Sequence, residues 1–232
     1  MTPSGDRSGK PRTPDEQLMH ALAWRGVDLV LDVGANRGQY AQRLRTHGYL
    51  GRIVSFEPLP DAHRELCAAA AADAGWEVGP AVALGARSGR ALLERSAESD
   101  MSSLHAQTAL LRAVSPSSAV LERVAVEVAA LDDVVTPYLR PDYRTFLKID
   151  VQGAEADVLA GAGALLPHLV GLQVELPLVP CYEGERPWRE MLAALEAEGF
   201  ELALLLPGYY ERKLGRQLQV DLVLFRPEPA AQ

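Results

Sequence analysis

Cysteine is scarce in this chain. Its 232 residues include two cysteines, Cys67 and Cys181, and neither belongs to a Cys-x-x-Cys or Cys/His pattern. Two cysteines cannot build a disulfide framework, and their spacing predicts no zinc site. We therefore expect both to be packing or surface residues.

Long apolar runs and an excess of positive charge are also missing. No stretch approaches the ~18 apolar residues of a membrane-spanning helix. The formal net charge is −8, with 23 Lys and Arg against 31 Asp and Glu. This balance argues against the basic surface that binds DNA or RNA. Residues 1–14 lack the apolar segment of a signal peptide, so we expect a cytoplasmic protein without a membrane span or a nucleic-acid partner.

Length and composition suit one globular domain. Hydrophobic residues make up 48% and charged residues 23% of the chain, which are ordinary values for a folded protein. A chain of this length is long enough for one full core and short for two. Residues 1–14 and 227–232 are predicted to be loose tails, the first disordered, which leaves a single domain over residues 15–226.

Strand and helix patterns alternate through the predicted domain. Apolar runs predict strands over residues 29–33, 52–56, 76–84, 91–95, 124–130, 145–149, 169–176, 201–206 and 220–225. Helical spacing predicts helices over residues 15–25, 39–47, 61–73, 154–166 and 187–198, and a short helix from Leu131. The strand over 124–130 alternates like an edge strand. The order predicts an α/β fold, with a doubly wound, mostly parallel sheet and an antiparallel end.

The most informative stretch is residues 29–38, where an apolar run leads into Asp32, Gly34, Asn36 and Gly38. A tight turn between a strand and a helix brings backbone N–H groups close to a nucleotide-like ligand. The spacing Asp-x-Gly-x-Asn-x-Gly differs from the dinucleotide pattern G-x-G-x-x-G, which argues against an NAD-linked oxidoreductase. It is the form that S-adenosylmethionine (SAM) methyltransferases use, and Asn tolerates positive φ.

Acidic side chains end several predicted strands. Glu57 lies 23 residues after Gly34, near the ~20-residue offset at which an acid meets ribose hydroxyls. A carboxylate accepts two hydrogen bonds from a cis-diol, which suits a ribose-binding role for Glu57. The alternative is that Glu57 is a solvent-exposed acid at the end of a strand, before the turn at Pro58. Asp150 and Glu175 end two later strands, at the sheet edge where ligands bind.

Several stretches together resemble the FkbM family of SAM-dependent methyltransferases. The similarity runs from about residue 27 to 226, and its matching segments are 31–38, 55–58, 100–104, 146–155, 171–175 and 219–226. The resemblance implies a Rossmann-like class I methyltransferase with a seven-stranded sheet. It also implies that a hydroxyl of a sugar, polyketide or glycolipid is methylated and S-adenosylhomocysteine (SAH) released. The N-terminal helix of small methyltransferases often joins dimer contacts, so a homodimer is one expectation.

The turn after the first strand, the strand ends, the aromatic residues and the resemblance together predict the binding residues. Those expected to bind SAM are Asp32, Gly34, Ala35, Asn36, Gly38, Glu57, Pro58, Ala83 and Leu84. Those expected on the acceptor side are Ser102, Ser103, His105 and Tyr182. The irregular stretch 96–118 would face the acceptor or form a lid. Within it His105 is either a second base or an exposed loop residue, and Tyr182 either lines the acceptor pocket or packs at the rim.

Asp150, Glu175 and Lys148 are the expected catalytic residues. Asp150 is the first candidate for the general base or its organiser, and Lys148 points to the same face of the strand. A close Lys148 would keep the pair charged and make Asp150 a weaker base, while Glu175 would share the work from the next strand. Alternatively, Asp150 and Glu175 bind Mg²⁺ through oxygen ligands. Two further alternatives are a structural Asp150 and a catalytically silent SAM-binding protein.

Overall fold

The computed structural model describes residues 13–227. Most of the two predicted tails, residues 1–12 and 228–232, lies outside the described residues. Thr13 and Pro14, assigned to the first tail, instead begin the first helix. The Thr13 hydroxyl accepts a hydrogen bond from the Glu16 backbone N–H, and the Glu16 carboxylate accepts one from the Thr13 backbone N–H. This capping box satisfies two donors at the start of the helix.

Strands and helices alternate along the described residues. The strands are β1 Leu29–Val33, β2 Arg52–Phe56, β3 Trp76–Val78, β4 Ala83–Leu84, β5 Gly89–Ser96, β6 Val120–Ala129, β7 Thr145–Ile149, β8 Gly171–Pro177, β9 Glu201–Pro207, β10 Tyr210–Glu211, β11 Arg216–Gln217 and β12 Gln219–Phe225. The α-helices are α1 Pro14–Trp24, α2 Gln39–Thr46, α3 Pro60–Ala70, α4 Ala109–Val114, α5 Leu131–Val135, α6 Glu155–Ala160 and α7 Trp188–Ala197. Short 3₁₀ turns cover Ser99–Met101, Pro116–Ser118, Thr136–Tyr138 and Leu166–His168.

Seven strands form the main sheet in the order β3-β2-β1-β7-β8-β12-β9. The first five are parallel to one another, and β12 runs antiparallel to both of its neighbours. The predicted fold class, a doubly wound and mostly parallel sheet with an antiparallel end, is therefore confirmed. The direction in which successive strands are added to the sheet reverses between β1 and β7. This reversal opens a crevice at the carboxyl ends of the two strands, and ligands bind at this place in such sheets.

Both faces of the main sheet are covered by apolar side chains. Leu29, Leu31 and Val33 of β1 belong to the cluster that includes residues of α5, α6 and α7. Val30, the alternate residue, belongs to the cluster that includes residues of α1, α2 and α3. Successive side chains of a strand point to opposite faces, so a strand buried on both sides reads as one continuous apolar run. Asp32 interrupts this run on the second face.

The predicted strand over residues 76–84 is two strands in two different sheets. β3 ends at Val78, and β4 pairs with β6 instead of continuing along β2. Gly79 allows the change of direction, because a Cβ at this position would lie 2.4 Å from the Phe56 ring. Pro80 then has no N–H to donate to a sheet. The turn recognised within this segment therefore ends the strand.

A second sheet of three strands has the order β4-β6-β5, so the predicted edge strand over residues 124–130 is its middle strand. Its alternation reflects one exposed face and not an unpaired edge. Three cross-strand ion pairs lie in register with β5, and they are Arg90–Glu127, Arg123–Glu94 and Arg95–Glu122. Its inner face packs against the residues around the start of α3. None of the described helices is long and apolar enough to cross a membrane.

Candidate active site

A cavity of about 400 Å³ lies at the carboxyl ends of the parallel strands. It is lined by residues from the ends of β1, β2, β7 and β8 and from the segment that includes Ser99–Leu104. The charged residues of its lining are Arg43, Glu57, Asp100, Lys148, Asp150, Glu175 and Asp221. One end of the cavity is formed by the turn after β1. The other is formed by the carboxylates of Asp150, directly after β7, Glu175, within β8, and Asp221, near the start of β12.

The turn after β1 depends on glycine. Gly34 has φ +76°, and a Cβ at this position would lie 1.8 Å from the backbone oxygen of Asp150. The backbone N–H groups of Gly34 and Ala35 both donate to the Phe56 oxygen, at 3.1 and 3.0 Å. Gly38, with φ +88°, leaves no room for a side chain beside the Trp76 ring, and α2 begins directly after it. The ends of β2 and β7, the two neighbours of β1, therefore lie within van der Waals contact of the turn.

Asn36 lies at the centre of this turn with φ +48°. Its Oδ1 accepts a hydrogen bond from the Ser99 hydroxyl at 3.2 Å, and its buried Nδ2 has no partner among the described residues. Asn is one of the few residues that adopt positive φ readily. An unpartnered amide donor at the cavity wall is available to an acceptor atom of a ligand.

Glu57 is buried at the same end of the cavity. Its Oε2 accepts from the Asn36 N–H at 3.0 Å, and its Oε1 accepts from the Leu59 N–H at 2.8 Å. Burial raises the pKa of Glu57 to about 7, although both N–H groups act in the opposite direction. Each carboxylate oxygen has two lone pairs, so each can still accept one hydroxyl proton.

Seven of the nine predicted SAM-binding residues line the cavity: Gly34, Ala35, Asn36, Glu57, Pro58, Ala83 and Leu84. Ala83 and Leu84 form an apolar wall together with Leu59, Val82 and Leu93. Asp32 and Gly38 lie behind the lining. Fully buried Asp32 accepts from the Ser55 hydroxyl at 3.1 Å, and its other oxygen lies 3.2 Å from Lys148 Nζ.

Lys148 is enclosed by acceptors. Its Nζ lies 3.2 Å from Asp32 Oδ1, 3.6 Å from Asp150 Oδ2 and 3.2 Å from the Gly34 backbone oxygen. Burial alone would lower the pKa of Lys148, but the carboxylates of Asp32 and Asp150 raise the pKa above its ordinary value. Lys148 is therefore a fixed cation. The close approach that would weaken Asp150 as a base is present.

Asp150 and Glu175 face a shared amide that sequence reasoning did not identify. Gln152 Nε2 donates to Asp150 Oδ1 at 2.7 Å and to Glu175 Oε2 at 2.9 Å. Gln219 Nε2 also donates to Glu175 Oε2, at 2.8 Å. Burial, followed by the charges of Asp150 and Asp221, raises the pKa of Glu175 well above its ordinary value. The raised pKa favours the neutral form of Glu175, which contacts two amides and carries no direct ion pair among the described residues.

The predicted acceptor residues divide into two groups. Ser102 and Ser103 line the cavity, while His105 and Tyr182 do not. Ser103 Oγ donates to the Gln152 backbone oxygen at 2.5 Å, and the His105 ring contacts the Glu183 backbone oxygen and Asp157. Tyr182 is buried, and its hydroxyl lies 3.0 Å from Gln152 Oε1. These contacts turn His105 and Tyr182 away from the cavity lining.

Asp221 and Gln173 also line the cavity, and sequence reasoning missed both. Gln173 Nε2 donates to Asp221 Oδ1 at 2.9 Å, and its Oε1 accepts from the buried Tyr40 hydroxyl at 2.9 Å. Asp221 is paired in register with Glu175 across the antiparallel strands. A signal was present in the closing Gln-Val-Asp segment, because an acid within a buried apolar strand is unusual.

A metal centre does not fit the carboxylates. Within residues 13–227, no group of three or more His, Cys, Asp or Glu side chains is arranged to hold a metal ion. The Gln152 amide presents its N–H donors to both Asp150 and Glu175. A cation between these carboxylates would meet donor hydrogens where it needs oxygen lone pairs. The predicted Mg²⁺ alternative is therefore not supported.

The ligand-free protein is expected to lose stability as the pH rises from about 5 to 8. Burial raises the pKa of Glu57 to about 7 and that of Glu155 to about 8. A raised folded-state pKa contributes stability that is complete below the unfolded value of 4.5 and is lost as the pH rises through the folded value. Glu57 alone accounts for roughly 2–3 kcal/mol of this change. Thermal melts over this pH range test it, and a melting temperature that rises with pH contradicts it.

Comparison with known proteins gives one family. The methyltransferase FkbM domain matches residues 32–202, whereas no curated protein gives a significant match. An rRNA methylase from Streptococcus thermophilus has a similar structure, with a TM-score of 0.51, 10% identity and coverage of 95% of this chain and 100% of that chain. Aeropyrum pernix fibrillarin, solved with S-adenosyl-L-methionine, gives a TM-score of 0.48 and 12% identity over 89% of this chain and 74% of its own.

The family match spans the glycine turn, Glu57, Asp150 and Glu175, together with the strands from β2 to β8, while β12 and Asp221 lie outside it. At 10% identity the structural similarity to the rRNA methylase establishes the fold alone, and the fold agrees with the family match. The resemblance found in the sequence is therefore confirmed. The chain belongs to the FkbM family of methyltransferases.

Proposed function

We propose that the protein transfers a methyl group from SAM to a hydroxyl of a polar small molecule. The observation that carries this proposal is the two-ended cavity. The glycine turn and Glu57 form one end, and Asp150, Glu175 and Asp221 form the other. A nucleotide-like donor and a hydroxylated acceptor would meet between these ends, close to a carboxylate able to take a proton.

The residues at the first end fit SAM. Glu57 would accept hydrogen bonds from the ribose hydroxyls through its remaining lone pairs. The unpartnered Asn36 amide would donate to an acceptor atom of SAM, and the wall that includes Ala83 and Leu84 would pack against the adenine. The glycine backbone at position 34 allows close approach. When bound, SAM supplies a methyl group on a sulfonium, which makes this carbon electrophilic.

The residues at the second end would align and deprotonate the acceptor. Asp150, whose side chain is 34% exposed, would take the proton released as the acceptor oxygen forms its bond to the methyl carbon and the carbon–sulfur bond breaks. Lys148 holds the Asp150 carboxylate in place. Orientation alone supplies ~7–11 kcal/mol in favourable cases, and a general base adds ~10²–10⁴-fold. Most of the acceleration would therefore come from alignment.

The charge of the second end favours a neutral or cationic small acceptor. Asp150, Glu175 and Asp221 would accept hydrogen bonds from sugar or polyketide hydroxyls. The same carboxylates would repel the phosphates of a nucleic acid, and the net charge of −8 acts in the same direction. The S. thermophilus rRNA methylase shares the fold with this chain, but we propose no RNA acceptor. We also keep the cytoplasmic location and the homodimer as proposals.

Ligand-dependent melting tests the donor, with SAM, SAH and NAD added separately to the purified protein. SAM and SAH are each expected to raise the melting temperature, because a ligand at 100 times its Kd adds ~2.7 kcal/mol. NAD is the control and is expected to have no effect. Stabilisation by NAD without stabilisation by SAM or SAH would reverse the assignment.

Methyl-labelled SAM tests the acceptor class. Purified protein is incubated with fractions of a cell extract that separate polar small molecules, lipids and RNA. We expect label in the small-molecule or glycolipid fraction, in an alkali-stable ether. Label recovered only in RNA contradicts the proposed acceptor.

A further inference from the structure

Gln152 makes more directed contacts at the site than its place in a loop after β7 requires. The residue is 9% exposed and has φ +57°, a backbone conformation that non-glycine residues rarely adopt. Gly153 follows with φ +102°, and a Cβ there would lie 2.7 Å from Tyr182. Positive φ at a bulky residue persists where the surroundings hold it, and such positions concentrate at functional sites.

The amide of Gln152 bridges two carboxylates from neighbouring strands. Nε2 donates one hydrogen to Asp150 Oδ1 at 2.7 Å and the other to Glu175 Oε2 at 2.9 Å. The nitrogen of this amide, and not its oxygen, faces the pair. Both amide hydrogens are used, so the two carboxylates have a fixed separation and orientation.

The other side of Gln152 contacts two neutral hydroxyl groups. The Tyr182 hydroxyl lies 3.0 Å from Gln152 Oε1, and the Ser103 hydroxyl donates to the Gln152 backbone oxygen at 2.5 Å. Neither contact adds charge to the site. Ser103 belongs to the segment that lines the cavity, so the amide joins this segment to both carboxylates.

We propose that Gln152 is a positioning residue, which holds the Asp150 carboxylate toward the transferred methyl group by bridging Asp150 and Glu175. This inference rests on the proposed function. Lys148 already binds one oxygen of Asp150 from the side of the sheet. Gln152 binds the other oxygen from the loop side, and together they define the plane of the carboxylate. A neutral donor does this without lowering basicity as strongly as a second cation would.

Sinefungin tests the inference without a known acceptor. This SAM analogue carries an amine-bearing carbon in place of the methylsulfonium, whereas SAH has no group at that position. A carboxylate held toward the methyl position therefore favours sinefungin over SAH. The ratio of the two dissociation constants, measured by calorimetry at one pH, reports the placement of Asp150 and cancels effects on the shared adenosine and amino-acid contacts.

Gln152→Met keeps the length of the side chain and removes its donors. We expect the preference for sinefungin to fall about tenfold, with SAH affinity within about twofold of wild type. Gln217→Met is the matched control, since Gln217 in β11 contacts neither carboxylate. Tyr182→Phe removes the hydroxyl beside Oε1, and we expect a smaller loss of the same preference. The Tyr182→Phe variant decides the test if Gln152→Met does not fold.

The outcomes separate the inference from the proposed function. Wild-type protein that binds neither ligand contradicts the proposed function. Wild-type protein that binds both without preferring sinefungin overturns the inference alone. A folded Gln152→Met protein with an unchanged ratio also overturns it. If that variant does not fold, an unchanged ratio in Tyr182→Phe does so.

Discussion

Asp150→Asn is expected to lower methyl transfer by about 10²–10⁴-fold while the protein remains folded and still binds SAH. The substitution removes the proton acceptor and keeps the size of the side chain. Asn Oδ1 can still accept the hydrogen bond from Gln152, which now reaches Asp150 Oδ1. The side chain is partly exposed, so no buried charge loses its only partner. Labelled methyl transfer to the identified acceptor fraction measures the loss.

A control variant makes this result specific, and one obvious alternative variant is unsuitable. Asp133→Asn is the control, since Asp133 is exposed on α5 and contacts Ser88 away from the cavity. Lys148→Met is a poor probe, because it would leave the fully buried Asp32 without its cation. Breaking a buried pair destabilises a protein by about 3–5 kcal/mol. Turnover of Asp150→Asn within a few-fold of wild type would exclude Asp150 as the base.

The class of the main sheet, mostly parallel with an antiparallel end, could be predicted because most of its strands carry a local signal. β1 and β7 are mainly apolar and each contains one charged residue, Asp32 in β1 and Lys148 in β7. Parallel strands covered on both faces have such near-continuous apolar runs. Their predicted bounds, 29–33 and 145–149, match the structure. The turn after β1 could also be predicted, because its Asp-x-Gly-x-Asn-x-Gly pattern is contiguous in the sequence. The contacts that require its glycines, with Asp150 and Trp76, are distant in sequence and could not be predicted.

The second sheet could not be predicted, because its signals are not local. Trp76–Val78 and Ala83–Leu84 are separated by one turn and differ only in their partners. Strand pairing depends on tertiary contacts that neighbouring residues do not encode. Likewise, alternation over residues 124–130 shows that one face is exposed, and it does not show whether the strand lies at an edge or in the middle of a sheet.

The candidate site was predicted where a residue ends a strand and missed where it supports another residue. Glu57 and Asp150 directly follow strands, whereas Glu175 lies within β8 and not at its end as predicted. The structure brings all three to one cavity. Gln152 and Gln173 act through hydrogen bonds to carboxylates 23 and 48 residues away in sequence. A glutamine has no spacing rule that marks such a contact. Conversely, His105 was placed at the acceptor by its irregular stretch and Tyr182 by its aromatic ring after a late strand, but their distant partners hold both in the surrounding packing.

Glu57→Ala is expected to weaken SAM binding by about 10²-fold or more. Hydrogen bonds to a charged group contribute about 1.5–3 kcal/mol each, and the carboxylate would accept two from the ribose. The folded state is expected to change little, because two effects oppose each other. The Asn36 and Leu59 N–H groups lose their acceptor, while a carboxylate whose pKa is raised by burial no longer has to be ionised at neutral pH. Calorimetric titration with SAM and SAH measures the loss.

The pH dependence of binding distinguishes this role from a general effect on the turn. Burial raises the pKa of Glu57 to about 7, and ribose hydroxyls donate to the ionised form. Affinity for SAH should therefore rise with pH through about 7 in the wild-type protein and level off above it. In Glu57→Ala this dependence should disappear. Glu77→Ala is the control, because Glu77 is exposed on β3 and pairs with Arg52. An unchanged affinity together with an unchanged pH profile would remove Glu57 from the ribose and leave the glycine turn as the sole anchor for SAM.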